Sequence, residues 1–273
     1  MKLSLSVRIA ESVSRKDQAA MPLEQLAPLA RANGFQGLSM RASALSVDSV
    51  PDRRRQVKTL LDRLGLVTSM VMGNVALAAN SAAAPDALRE ITPHLDLADA
   101  LGCRLVRIMT QTDDDIPHLQ RAADQAAERG LTLAHQTHWG TLCETVDQAI
   151  ALVNKVGRDN VGITFEPSNL RACGGPYGTD AIARLAPYLV NVYFQNVRFN
   201  EEGSHVFKTR LRGPVPLNYV ALDDAEGIDV RPLVDALKAA GYEGWFSVHQ
   251  PLRDGQTVPQ AVDEAARVFR PLI

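Results

Sequence analysis

The chain has 273 residues, a length that fits one α/β barrel or two smaller domains. Its 29 Lys and Arg against 31 Asp and Glu give a formal charge of -2, which supplies no global attraction for nucleic acid or an anionic membrane. Hydrophobic residues at 46% and charged ones at 22% provide for a sizeable core and exclude a disordered chain.

The opening MKLSLSVRIAESVSRKD is too quickly charged for a signal peptide, and no apolar run reaches the roughly 18 residues of a membrane span. A soluble, cytoplasmic protein is therefore expected. Its first strand is predicted over 3–8, ending in Arg8. MPLEQLAPLARANG then carries Leu23, Leu26 and Leu29 at helical spacing, and Gly34 closes that helix before a strand over 35–40 and Arg41. PDRRRQVKTL reads as a helix whose Arg53, Arg54 and Arg55 form a solvated face, and Gly65 leads into a strand over 66–72. Gly102 leads into 103–109, with Arg107 near its end and Gln111 just beyond; Asp113, Asp114 and Asp115 read as an acidic cap of the next helix.

After Gly130 comes a strand over 131–136, followed at once by Thr137, His138 and Trp139. TVDQAIALVNKVG places Val146, Ile150 and Val153 on one helical face, and Gly157 precedes a strand over 160–165 that ends in Glu166, Pro167, Ser168 and Asn169. A strand over 189–195 carries Tyr193 and Gln195 and runs into Asn196 and Arg198; the segment 197–227 is an extended loop, of a length usually functional. Gly241 introduces the last strand, 244–249, ending in His249 and Gln250.

Each glycine marks a helix-to-strand junction, and the first four stand roughly 30 residues apart, the length of one βα unit. Eight strands read as apolar runs with helices between them predict an α/β fold, a single (β/α)8 TIM barrel over 1–273. A doubly wound open sheet is the alternative, but no GxGxxG or GxxxxGK[ST] turn follows the first strand. In such a barrel the chemistry sits at the C-terminal strand ends, and seven of the eight end in polar residues. Arg8, Arg41 and Arg107 need partners for their guanidinium donors, either acidic side chains or a polar or anionic ligand. Trp139 is placed to stack on a sugar ring, Trp245 is expected in the core, and His205 and Lys208 of the long loop face solvent or close over substrate. Cys103, Cys143 and Cys173, odd in number and without a CxxC pair, read as small buried hydrophobes, and His135, alternating with Gln136, as a satisfied core histidine.

The segments LTLAHQTHWGTLCETVDQAIALVNKVGRDNVGITFEPSNL, LVNVYFQN and GYEGWFSVHQP resemble the xylose isomerase-like TIM-barrel superfamily of sugar isomerases, epimerases and inosose isomerases and dehydratases. The resemblance implies a divalent metal, commonly manganese, magnesium, cobalt or zinc, held by Glu, Asp, His and Glu at strands five to eight. Those positions are Gln136, Glu166, Tyr193 and His249 here, so one carboxylate remains. Two readings stay open. In one, Glu166, His249 and Gln136, with His138 and an oxygen from Gln195, hold a metal, iron included, in an altered ligand set. In the other the metal is gone and the same residues serve as hydrogen-bonding and proton-transfer groups.

The implied function is an isomerase, epimerase or lyase that removes a proton next to a carbonyl of a sugar-like small molecule. Glu166, His249 and His138 are the candidate catalytic residues. Arg8, Arg41, Arg107, Trp139, Asn169, Tyr193, Gln195, Asn196 and Arg198 are the candidate substrate-binding ones. The competing reading is a non-catalytic sugar-binding barrel that has lost its metal site. An abasic-site endonuclease, also in the superfamily, is disfavoured by six histidines in total and a charge of -2, so no nucleic-acid partner and no membrane are expected. A homo-oligomer is left open.

Overall fold

The computed structural model describes residues 1–12 and 15–273. Seven parallel strands, β1 (Lys2–Ser6), β2 (Gly37–Arg41), β3 (Val67–Met72), β4 (Leu105–Ile108), β5 (Thr132–Gln136), β6 (Val161–Phe165) and β7 (Leu189–Phe194), close with an eighth, β11 (Trp245–Val248), into a barrel. Closure runs through β1, which pairs with β2 on one side and β11 on the other. The glycine marks behave as their chemistry requires: Gly65, Gly102 and Gly157 end their helices at φ of 62°, 63° and 60°, the left-handed region that a side chain disfavours. Thr145 and Gln148 cap the helix Val146–Val156 reciprocally, and the Asp115 carboxylate takes the amides of Gln111 and Thr112 ahead of the helix Ile116–Ala127.

The strands alternate more strictly than apolar runs suggest. Ser39 of β2 hydrogen-bonds Tyr193 of β7 at 2.7 Å, and Ser4 of β1 bonds Ser69 of β3 at 2.6 Å. Neither pair is on neighbouring strands, so these bonds cross the lumen. The interior is therefore small and polar, and the same period of two turns Arg41, Gln136, Tyr193 and, just past the strand ends, Glu166 and His249 inward, while the apolar neighbours face the helices. His135, on the opposite phase, is buried: its Nε2 accepts from the Thr110 amide at 2.9 Å and its Nδ1 donates to the Gln136 carbonyl. All three cysteines are buried and free. Among the described residues no helix is long and apolar enough to cross a membrane.

The segment 197–227, expected as a loop, folds for the most part into a three-stranded antiparallel sheet of β8 (Val197–Phe199), β9 (His205–Thr209) and β10 (Gly213–Tyr219), in the order β8-β10-β9. Asn196 fastens its base: its Oδ1 accepts from the Ile228 amide at 2.7 Å and its Nδ2 donates to the Ala221 carbonyl at 2.9 Å. Glu144 fastens its tip, accepting from the amides of Arg210 and Leu211 at 2.7 and 3.0 Å and from that of Gly140 at 2.6 Å. Val197, Phe207 and Leu217 give the sheet a small apolar core, against which Trp139 packs.

Candidate functional site

A cavity of about 320 Å³ opens at the C-terminal mouth of the barrel, between the strand ends and the three-stranded sheet. Arg8, Arg41, Arg107, Gln136, His138, Trp139, Gln195 and His249 line it, as the sequence reading expects. So do Glu11, Lys16, Asn80, Phe207 and Tyr219, which that reading missed, and His205, which it left between solvent and substrate. Glu11 carried a signal, an acid three residues past Arg8, whereas Phe207 and Tyr219 reach the cavity only because their segment is a sheet. Tyr193 sits beneath, its ring stacked on His249 at 3.9 Å and 4°.

Other candidates lie elsewhere. Asn169 is buried, with its amide on the Thr137 carbonyl at 2.9 Å, and Asn196 holds the sheet's base. Arg198 pairs with Asp224 and Glu226 near the surface, and Lys208 is exposed. None of these lines the cavity. Trp245, expected in the core, is half-buried at the start of β11 with Lys2 Nζ 5.3 Å from its ring centre.

The three arginines differ in their partners. Arg41 forms a two-point ion pair with Glu11, at 2.9 and 3.0 Å, the acidic partner allowed for in the sequence reading. Arg107 donates to Gln136 Oε1 at 3.0 Å, to the Leu77 carbonyl at 2.7 Å and to Asn80 Oδ1, a residue at φ 50° that aims its side chain here. Arg8, in the 3-10 turn Val7–Ala10 beyond β1, donates to Gln195 Oε1 at 2.9 Å, the His249 carbonyl at 3.1 Å and the Tyr219 hydroxyl at 3.0 Å.

Glu166 lies one hydrogen bond behind the cavity wall, accepting from Ser168 Oγ at 3.0 Å and from the Gln136 amide. Burial pushes its carboxyl up to about 7, against the pull of Arg8, of its hydrogen bonds and of Arg107. His138 goes the other way, down to about 3, through burial and then Arg107. Its Nδ1 donates to the Trp139 carbonyl at 2.7 Å, leaving Nε2 as an acceptor. Burial and the same arginines hold His249 well below its usual value, with Nδ1 on Ser6 Oγ at 2.9 Å. Both imidazoles are neutral at neutral pH. Burial lowers Arg107 to about 10, which leaves it charged.

These residues do not fit a divalent metal. At the positions where the resemblance places ligands, the Gln136 oxygen is taken by Arg107 and the Tyr193 hydroxyl by Ser39, so Glu166 is the one anionic donor. The Gln195 oxygen is taken by Arg8. Among the described residues no group of three His, Cys, Asp or Glu side chains is placed to hold a metal ion. Two guanidinium groups already carry positive charge into the space a cation would share.

The fold is a (β/α)8 barrel with a polar cavity at its C-terminal mouth. The chain belongs to the xylose isomerase-like TIM barrel family, whose profile matches residues 27–272. It is 27% identical over 135 residues to an inosose dehydratase from Geobacillus thermodenitrificans, covering 49% of this chain and 45% of that protein. The chain thus spans about half the length of this curated relative. The probable 3-DHS dehydratase AsbF of Bacillus anthracis superposes with a TM-score of 0.74 at 17% identity, over 99% of both chains. The IOLI protein, solved with a bound zinc atom, gives a TM-score of 0.71 at 16% identity over 100% of this chain and 98% of that one. At such identities these two structures establish the fold alone.

Proposed function

We propose that this chain is an enzyme of the dehydratase or isomerase kind, removing a proton from the carbon beside the carbonyl of a small sugar-like molecule. The observation that carries this reading is Glu166, a fully buried carboxyl at the barrel mouth whose affinity for a proton is poised near neutrality. A general base works best when its pKa lies near the working pH, and neither His138 nor His249 meets that condition. The likeness to inosose dehydratases supports the same class of chemistry.

In this mechanism the substrate enters beneath the three-stranded sheet and its polar groups take over the Gln136 amide from Glu166. The Glu166 carboxylate takes the proton from the carbon, and the C–H electron pair moves toward the carbonyl to leave an enediolate. Arg107, cationic and preorganised, stabilises the developing oxyanion. Elimination then expels a hydroxyl from the next carbon, which leaves as water with the proton that Glu166 holds. In isomerisation that proton returns to the former carbonyl carbon instead, while the hydroxyl proton of the first carbon passes to the former carbonyl oxygen.

The test is NMR in heavy water with a panel of ketoses, inososes and their carboxylated counterparts. Wild-type protein exchanges a substrate C–H for deuterium, and Glu166→Gln loses at least about 100-fold of that rate, the usual worth of an acid/base group. Exchange at the wild-type rate in Glu166→Gln refutes the assignment. Binding without exchange by the wild type favours the sugar-binding barrel.

A further inference from the structure

Four cations line the cavity: Arg8, Lys16, Arg41 and Arg107. Glu11 serves two of them, with its two-point pair to Arg41 and a contact of 3.5 Å to Lys16 Nζ. Arg8 and Arg107 have no carboxylate within ion-pair distance among the described residues. Every hydrogen-bond partner of either is neutral: an amide, a hydroxyl or a backbone carbonyl. Glu166, the remaining acid close by, touches neither and is pulled by burial toward its neutral form. A guanidinium withdrawn from water without a counter-ion is costly, so two of them in one cavity leave a place for an anion.

We propose that the cavity takes a carboxylate-bearing ligand, a small sugar acid, and that Arg8 grips its carboxylate. The inference rests on the reading of this site as a sugar-modifying one and names its substrate class. Counting donors supports a carboxylate. A guanidinium has five N–H groups. Nη1 of Arg8 spends both of its hydrogens on Gln195 and the His249 carbonyl, and Nη2 spends one on Tyr219. Nε–H and one Nη2–H remain, two donors for the two oxygens of a carboxylate. A phosphate group would present three oxygens to those two donors. The cavity, at about 320 Å³, lies at the small end of ligand sites, which admits one sugar-sized molecule. Trp139, Phe207 and Tyr219 offer it an aromatic wall.

The same arrangement accounts for the misfit with a metal. Where the resemblance implies a dication and the carboxylates that hold it, this chain offers guanidinium groups, neutral side chains and the single carboxyl of Glu166. The acidity of the carbon beside the carbonyl would then be raised by Arg107 and by the gripped, charge-neutralised carboxylate, with no ion needed from solution.

Isothermal titration of the purified protein tests this, with six-carbon aldonates, the parent aldoses, inorganic phosphate and manganese chloride as probes. Aldonates are expected to bind at least tenfold more tightly than aldoses, with a Kd that weakens as salt rises. Arg8→Gln is expected to abolish that preference, and Arg8→Lys to restore part of it; circular dichroism shows whether each variant folds, and the wild-type comparison stands if one does not. Equal affinity for acid and aldose, or binding of neither, overturns the proposal. So does phosphate binding more tightly than any aldonate, and so does stoichiometric manganese binding that His249→Ala removes. None of these readouts requires turnover. A protein that prefers aldonates but exchanges no substrate proton upholds the anion site and sinks the acid/base reading; one that turns over neutral ketoses without acid preference does the reverse.

Discussion

A carboxylate fastens the tip of the roof over the cavity, beside Arg210 on the Gln111 carbonyl and Arg212 on that of Ala172, and Glu144→Gln tests how much it holds. Glu144 is buried, and its two oxygens take three backbone amides, those of Gly140 and Arg210 on Oε1 and that of Leu211 on Oε2. A glutamine carbonyl can keep the first two, but its NH2 then faces the Leu211 amide, donor against donor. Hydrogen bonds to a charged group contribute about 1.5–3 kcal/mol each, so losing one outright and the charge from two others costs roughly 3 kcal/mol. If the sheet opens locally, that is about a 100-fold increase in its open population. Hydrogen exchange read by mass spectrometry should show residues 205–219 losing protection by that factor, while β5 and β6 keep theirs. Ligand affinity should fall with it, because Phe207 and Tyr219 reach the cavity only on this sheet and Tyr219 holds Arg8. Wild-type protection over 205–219 in the variant would refute the reasoning and mean that Asn196, the pairing of β8 and the bonds of Arg210 and Arg212 to the Gln111 and Ala172 carbonyls suffice to hold the sheet down.

Glu11→Gln leaves the Arg41 guanidinium, 2% exposed, without its ion pair, at a cost of about 3–5 kcal/mol. Adding Arg41→Met should recover most of the loss, and thermal melts of the two variants decide it. Stability should also follow pH through two opposing sets of groups. The Glu166 carboxyl, raised from 4.5 to about 7, binds its proton more tightly in the folded state, so the stability it contributes is complete below pH 4.5 and lost as pH rises through 7, up to about 3 kcal/mol. His94, His135 and His138, lowered from 6.5 to about 4, 4 and 3, are protonated more readily in the unfolded chain, so their contribution is lost as pH falls below 6.5. His249, lowered as well, makes four imidazoles against one carboxyl, so stability should rise with pH through 6.5 and level off above about pH 7. Calorimetry from pH 4 to 8 should find that Glu166→Gln steepens the rise between about pH 5 and 7, because the opposing contribution of the carboxyl is gone; parallel curves for variant and wild type would discard the assignment of that contribution to Glu166.

The barrel was legible because its signals are local. A glycine past a helix end and an apolar run after it report on a few consecutive residues, and all eight barrel strands form at the expected places. The first strand stops two residues early, since Ser6 turns the chain by accepting from the Arg8 amide and so puts Arg8 over the mouth. The sheet over the cavity was hidden for the opposite reason. Pro214 and Pro216 fall within β10, its middle strand, and a proline normally argues against a central position. It is tolerated because β8 pairs with β10 only from Leu217 onward, which leaves the proline stretch an edge on that side.

The site was legible as a set of residues and not as a charge balance. Chain order places Arg8, Arg41 and Arg107 at strand ends, but what each faces is decided at a distance: Glu11 for Arg41, Asn80 and Gln136 for Arg107, Gln195 and Tyr219 for Arg8. Only the pairing shows that one arginine is neutralised and two are not. In the sequence, Gln136, Tyr193 and His249 read as replaced positions of a metal site, with Gln136 and His249 either kept in an altered ligand set or turned to hydrogen bonding and proton transfer. In the folded chain they support other groups: Gln136 holds Arg107 and screens Glu166, while His249 offers its carbonyl to Arg8 and its ring to Tyr193. Removing carboxylates around a dication would leave a surplus of positive charge, and here that surplus is built in as two guanidinium groups with one proton-sharing carboxyl between them in charge. The anionic ligand proposed above would complete such a site, whereas an added metal cation would oppose it.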